Sequence, residues 1–573
     1  MHAILEPTNS VVVDEKKLRI EMNNGQTWLL YASSPISIAF GGPGDAGEST
    51  AAFSGIIRVA LARNGEFEEL LDTNRYTIPV AGKVHLSHKQ DIATIRYEYE
   101  TATYGGSTGD LLLMALPHHI DAGLLGINGS EKHFRTIKGH MTGVLGKTWV
   151  MIDQLPPISW ISRSAISPDK ISAVRSALLG DQYLVPSAQD PYFFGKEIAA
   201  MGRLALIADD IGERRTAQNI IERMKEHLEP WLMASNPDAL VYNRTWGGLV
   251  STFGMQNAAA DFGNGVYNDH HYHYGYLTYA AAVIGRTDAD WLENHSREVL
   301  DLVRDFANPN TEDPYFPFSR HKDMYAWHSW AGGLFSAADA KNQESTSEAV
   351  NAYYAVYLLG VALRNEELAG YGRIMMQMEI RAAQKYWQVV DTEIYAQPYA
   401  DRTVVGVLWS TKVDHATWFG GNLEYIHGIQ FLPITSISEA LLRPEWISKS
   451  YPILSTTISR SEPPMSDEWL GYIYIAHAII DPELAWEEVQ KLKTFLGGNT
   501  KTNTLYWVAT RSAETASQPG PPKAISVDLR REELMVLGQP PKAPTPSNAP
   551  PVPPFHLVSL VLCSLVMTLG GWL

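Results

Sequence analysis

Along the first hundred or so residues apolar and polar positions alternate, and from about residue 190 apolar positions recur every three or four. Leu18-Arg-Ile-Glu-Met22 and Thr27-Trp-Leu-Leu-Tyr31 flank Asn24-Gly25, a pattern that predicts a hairpin. Ile95-Arg-Tyr-Glu-Tyr-Glu100 alternates strictly, as a half-buried strand does, and Ile57 to Ala62 is a further strand ending at Asn64-Gly65. Residues 18 to about 120 therefore read as strands of a β-sandwich or part of one. The helical part has two kinds of segment. Phe193 to Ala208, Tyr274 to Ile284 and Tyr353 to Leu363 are apolar nearly all round, which predicts burial on every side. Each is followed by a striped helix. One stripe is Ala217, Ile220, Ile221, Met224 and Leu228; the next is Leu292, Val299, Val303 and Phe306. The last is Leu368, Tyr371, Met375, Met378 and Ala382, with Glu367, Arg373, Glu379 and Arg381 off it. Inner helices alternating with outer ones describe an α/α toroid. A solenoid would show the same alternation, but no fixed repeat period is present.

Three blocks hold candidate chemistry. Asp261 to Tyr276 places Asp269, three histidines and four tyrosines just before an inner helix. A metal held by Asp269, His270, His271 and His273 is disfavoured, because His at i and i+2 diverge on a helix. Two readings of Asp269 stay level: Asn268 or Asp269 caps the helix, or Asp269 is a catalytic acid among rings that stack on sugars. In Lys341 to Asn351, Ser345-x-x-Glu348 matches a capping box and puts Glu344 on the approach loop. A helix N-terminus favours negative charge, so Glu344 is expected to stay ionised near neutral pH, as a general base must. Two carboxylates at separate inner-helix starts suit glycoside hydrolysis. The third block is Met324 to Leu334 with Trp246-Gly-Gly248, Val413 to Phe419 and Glu424 to His427, where rings stand beside glycines. For any single ring there, ordinary core packing is the better reading.

Composition narrows the ligand. Of 573 residues, 46 are Lys or Arg and 63 are Asp or Glu, a net charge of −17, and no Lys/Arg-rich run occurs. A nucleic-acid partner is excluded on this ground and a neutral or cationic ligand is favoured. The single cysteine, Cys563, rules out a disulfide framework and a Cys zinc site. Sixteen Trp and 27 Tyr point to a surface that stacks on flat molecules. No signal peptide opens the chain. Half of the residues from Gln539 to Pro554 are proline, and Phe555 to Leu573 is apolar with no acid, Lys or Arg. That reads as an extended spacer and a membrane or lipid-anchor tail. Sequons at Asn128, Asn243 and Asn294 are compatible with secretion.

Tyr267-Asn-Asp-His-His-Tyr-His-Tyr-Gly-Tyr276, His328-Ser-Trp-Ala-Gly-Gly-Leu-Phe335 and Lys341-Asn-Gln-Glu-Ser-Thr-Ser-Glu-Ala-Val-Asn351 resemble the signature blocks of glycoside hydrolase family 81, fungal-type endo-β-1,3-glucanases. Ala115-Leu-Pro-His-His119, Tyr192-Phe-Phe-Gly-Lys196, Trp418-Phe-Gly-Gly-Asn422, Glu424-Tyr-Ile-His-Gly428 and Thr502-Asn-Thr-Leu-Tyr-Trp507 agree in order, so the similarity runs from about 18 to 515. The resemblance implies a multidomain α+β chain. Its parts are a β-sandwich at 1–122, an α/β linking region at 123–185 and an (α/α)6 catalytic toroid at 186–515. A Pro-rich spacer at 516–554 and the tail at 555–573 complete it. It implies an inverting endo-hydrolase of β-1,3-glucan with Asp269 as general acid, Glu344 as general base, Glu348 as a supporting carboxylate, and neither cofactor nor metal. Tyr267, His270, His273, Tyr274, Trp246, His328, Trp330, Asn342, Trp418 and His427 are expected against substrate. The sandwich is expected to be incomplete, since the family carries more sequence upstream. Asp323-Met-Tyr-Ala-Trp327 departs from the family pattern and is expected to alter a subsite. Action at the cell surface or wall follows. The alternatives are an inactive glucan-binding scaffold and another polysaccharide-degrading enzyme of the same architecture.

Overall fold

The computed structural model describes residues 7–40, 47–62, 65–104, 109–125, 134–335, 337–460 and 465–511. The spacer at 516–554, the tail at 555–573 and the Asn128 sequon lie outside the described residues. Among those described, no helix is long and apolar enough to cross a membrane.

The chain is a mixed α+β protein. Asn24-Gly25 turns the expected hairpin, with Leu18 opposite Leu30 and Ile20 opposite Trp28. Pro7–Asp14 and Ile57–Ala62 flank it in a four-stranded antiparallel sheet. The alternating segment at 95–100 belongs to Ile92–Thr103, the centre of a three-stranded sheet between Thr77–Lys89 and Thr148–Gln154. Ala93, Ile95 and Tyr97 point into the core. Two described elements depart from the all-strand reading, the short helix Pro117–Asp121 at its end and, earlier, Gly65–Asn74. Gly65–Asn74 is a helix, because Phe67, Leu70, Leu71 and Asn74 recur at helical spacing within a strand-rich stretch. Its Glu68 and Asp72 accept hydrogen bonds from the buried Lys17 ammonium at 2.7 and 2.8 Å, and Asp72 also takes the Tyr31 hydroxyl at 2.8 Å. The helix thereby clamps the hairpin.

Six helices form the first three inner and outer pairs: α1 (Pro191–Asp210) with α2 (Arg214–Leu232), α3 (His270–Thr287) with α4 (Ser296–Ala307), and α5 (Thr346–Ala362) with α6 (Glu366–Tyr386). The apolar members α1, α3 and α5 are buried over most of their length, and α3 packs between α1 and α5. Gly275 permits that approach: a Cβ there would stand 2.7 Å from the Ala352 Cβ. The striped helices cover them from outside. Farther along, Asp467–His477 packs on Lys501–Ala509, which returns to pack against α1.

Glu379 corrects the stripe of α6. It is fully buried, not outward, because the loop before α5 brings a cation to it. Lys322 Nζ donates to Glu379 and to the carbonyls of Trp327 and Met375, while Ser329 N donates to the other carboxylate oxygen at 3.0 Å. Removing one member of a satisfied buried pair strands the other charge. Lys322→Met should therefore cost about 3–5 kcal/mol in urea unfolding, and adding Glu379→Leu should recover most of it. A single-variant cost no larger than that of an exposed lysine would show that the pair does not hold this loop.

Candidate active site

A cleft of about 600 Å³ opens where the starts of α1, α3 and α5 meet, and Asp269, Glu344 and Glu348 all line it. Each carboxylate has a different support.

Asp269 is the N-cap of α3, but its side chain accepts no helix N–H. Its backbone is left-handed (φ 60°), a conformation that costs a non-glycine residue energy and turns the carboxyl away from the helix amides. The N–H is tied to Ala331 O at 2.9 Å, and its own carbonyl takes the N–H groups of Tyr272 and His273. The expected capping by Asn268 is not what forms: Asn268 Oδ1 accepts from Gly333 N at 2.8 Å. Freed from the amides and half-buried in the cleft, the Asp269 carboxyl is held well above the usual carboxylate range, first by desolvation and then by the charges of Glu344 and Glu348.

Glu344 follows the short strand Asn342–Gln343 and precedes Ser345, the N-cap of α5. Trp418 N donates to Glu344 Oε1 at 2.7 Å, and Gln430 fixes the Glu344 carbonyl at 2.7 Å. The helix start was expected to keep this carboxylate fully ionised. Burial outweighs it and pushes Glu344 up to about 7, with Trp418 N opposing and Glu348 adding to the rise. Only half of the expected capping box forms. Ser345 Oγ accepts from Glu348 N, but the Ser345 N–H goes to the Tyr272 hydroxyl. Glu348 is thus released to accept from the Tyr192 and Tyr276 hydroxyls, both on Oε1, at 2.9 and 2.8 Å.

Aromatic rings make the walls. Tyr192, Phe193 and Phe262 meet at 5.1–5.7 Å on one side, and Tyr192 lies 5.1 Å from the His273 ring. Burial keeps the His273 imidazole well below its ordinary value, hence neutral. On another side Trp418 leans on Trp409, and Phe419 stacks on Trp469 with ring centroids 6.2 Å apart. Lys196 is the one Lys or Arg among the described lining residues.

Of the residues expected against substrate, the cleft takes His273, Asn342 and Trp418. The other seven lie off its lining. Tyr267 is buried beneath the Arg320 guanidinium, which sits 4.2 Å from its ring centre. His270 is buried between Asp305 at 2.7 Å and the Asn264 carbonyl at 2.8 Å. Tyr274 gives its hydroxyl to Leu249 O, and His427 bonds Leu423 O within its own short helix. His328 bonds Ser329 O and packs on Trp330, whose indole N–H is taken by Asp323 at 3.0 Å. Trp246 is exposed in the turn joining Leu240–Asn243 to Gly248–Ser251. Asp323 also accepts the N–H groups of Tyr325 and Ala326, so the stretch that departs from the family pattern forms a turn and lies off the lining of the cleft. Among the described residues no cluster of three or more His, Cys, Asp or Glu could hold a metal ion.

Profiles of the glycosyl hydrolase family 81 N-terminal and C-terminal domains match residues 1–162 and 167–508. The chain belongs to glycosyl hydrolase family 81. It is therefore a glycoside hydrolase. A glucan endo-1,3-beta-D-glucosidase of Glycine max is 35% identical over 515 residues, covering 87% of this chain and 75% of the relative. A primary septum glucan endo-1,3-beta-D-glucosidase of Schizosaccharomyces pombe is 30% identical, and this chain spans about half of its length (82% and 48%). Among solved structures, a glycoside hydrolase family 81 protein of Clostridium thermocellum superposes with a TM-score of 0.78 at 26% identity, covering 88% of this chain and 71% of that one.

Six rings of the cleft, Tyr192, Phe193, Phe262, Tyr272, Phe419 and Trp469, were not named as site residues from the sequence. The first five lie inside blocks that drew attention for other residues or for their family pattern. Trp469 opens the helix Asp467–His477 with no local signal, and only the fold brings it to Phe419.

Proposed function

We propose that the protein hydrolyses internal β-1,3-glucosidic bonds of β-1,3-glucan with inversion, Asp269 acting as general acid and Glu344 as general base. The observation that carries this reading is the unequal treatment of two carboxylates in one ring-lined cleft. Burial without amide contacts favours the protonated form of Asp269, whereas a backbone N–H aims Glu344 and favours its ionised form. In the proposed step the Asp269 carboxyl gives its proton to the departing glycosidic oxygen. Glu344 takes a proton from the water that attacks the anomeric carbon from the opposite face. A neutral glucan suits walls of exposed rings and a chain with no Lys/Arg-rich run. The names of the relatives supply the linkage.

We further propose that the alternating helices form an (α/α)6 toroid over 186–515, preceded by a β-sandwich at 1–122 and a linking region at 123–185. Burial of α1, α3 and α5 and the return of Lys501–Ala509 onto α1 support the ring. The septum role in the name of the fission-yeast relative supports action at the cell wall.

The pH dependence has a definite sign. The base must be ionised, so kcat/KM rises as pH rises through about 7. The acid must keep its proton, so kcat/KM falls as pH rises through the value of Asp269, which burial raises well above the usual carboxylate range. The limbs are those of an interacting pair.

Reducing ends should appear from laminarin and not from cellulose or pectin. Proton NMR early in the reaction should show the α-anomer of the new reducing end first. A β-anomer appearing first would overturn inversion and Glu344 as base, and binding of laminarin without cleavage would favour a scaffold.

A further inference from the structure

The lysine in the cleft is not used by the acid–base pair. Lys196 is nine-tenths buried, one turn along α1 from Tyr192, with its ammonium 5.0 Å from the Tyr192 ring centre and 5.5 Å from that of Phe193. Its Nζ donates to the Tyr192 hydroxyl at 3.5 Å, and no described carboxylate reaches it directly. The Tyr192 hydroxyl in turn donates to Glu348. A buried cation and a buried carboxylate are each costly alone, and here one phenol joins them. Gly195 makes the arrangement possible. A Cβ there would stand 3.0 Å from that of Tyr276, so the bare backbone lets α1 close on α3 and delivers both tyrosines to one carboxylate oxygen.

We infer that Lys196 is a positioning residue of the reaction, holding Glu348 in place through the Tyr192 phenol as the third charge of the cleft and so setting the protonation of Asp269 and Glu344. This rests on the acid and base roles proposed above. The groups facing the Lys196–Glu348 pair are Tyr192, Asp190 and Arg203 from α1 and its cap, Asp269, Tyr272, His273 and Tyr276 from α3 and its cap, Glu344 before α5, and Tyr472 from Asp467–His477. Within this set the charge of Glu348 acts on both Asp269 and Glu344, raising each, while Lys196 is not among the main influences on either. A Glu348 that loses its counter-charge is no longer held against Tyr192 and Tyr276 and swings away. That change weakens the negative field at the pair.

The sign of the effect separates this role from a direct one. A cation acting directly on two carboxyls lowers their values, so its removal moves both limbs of the pH profile to higher pH. A cation acting through Glu348 does the reverse. The test is kcat/KM on laminarin against pH for the parent, Lys196→Met, Lys196→Gln, Lys196→Arg, Glu348→Gln and Lys196→Met/Glu348→Gln, with circular dichroism to check folding. Glu348→Gln should lower both limbs by about 0.5–1 pH unit, and Lys196→Met and Lys196→Gln should do likewise. The double variant should move them no further, and Lys196→Arg should restore the parent positions. Lys196→Gln keeps a donor for Tyr192 and serves if Lys196→Met does not fold. Limbs that stay put or rise in the Lys196 variants while Glu348→Gln lowers them overturn the inference and leave the acid–base reading standing. Limbs that ignore Glu348→Gln as well overturn that reading, and the inference with it.

Discussion

Glu344→Gln should lose activity by about 10²–10⁴ on laminarin and by a similar factor on a laminarioligoside carrying an activated aryl leaving group. The amide can still accept the Trp418 N–H, so the loop before α5 should keep its shape and the loss should fall on kcat. Water needs a base whatever group departs, which is why the leaving group should not matter. Full activity of Glu344→Gln on the aryl substrate would remove Glu344 from the role of base.

The second large effect should depend on the leaving group. Asp269→Ala should cost about 10²–10⁴ on laminarin, whose departing sugar oxygen needs a proton, and far less on the activated aryl substrate, whose phenolate leaves unaided. The alkaline limb of the parent profile should also disappear for the aryl substrate, because no proton donor is required there. The αL backbone at Asp269 makes alanine a strained replacement, so unfolding should be followed alongside, and Asp269→Asn offers a milder comparison. Equal losses on both substrates would show that Asp269 is not the acid.

How far these residues could be read from the sequence depends on how local their causes are. Asn24-Gly25 and the alternation around Ile95 encode a hairpin and a strand within a few residues, and both form. The inner helices were legible because an all-round apolar run has one stable environment. The blocks around Asp269 and Glu344 were legible as chemistry because several polar types crowd one helix start. Electrostatics were not. The expectation for Glu344 weighed the helix start alone, whereas the result depends on desolvation by rings that arrive from Trp418 and beyond. The histidine-rich block also misled. On an inner helix successive residues face different neighbours, so His273 turns to the cleft while His270 turns to Asp305 and His271 stacks on His321. Glu379 was read as outward for a similar reason: a stripe cannot register a lysine that comes from a loop more than fifty residues earlier.

The packing of Lys501–Ala509 against α1 has a consequence for synthesis on the ribosome. These partners are separated by about 300 residues, so at roughly 5–20 residues per second α1 emerges about 15–60 s before the helix that covers its flank. Through that interval a nearly continuous apolar helix has the preceding helix Ile171–Asp181, then α2 and α3, against it, but not Lys501–Ala509. Slow translation therefore lengthens the time during which this flank of α1 stands without the helix that covers it, the window in which exposed apolar surface favours aggregation.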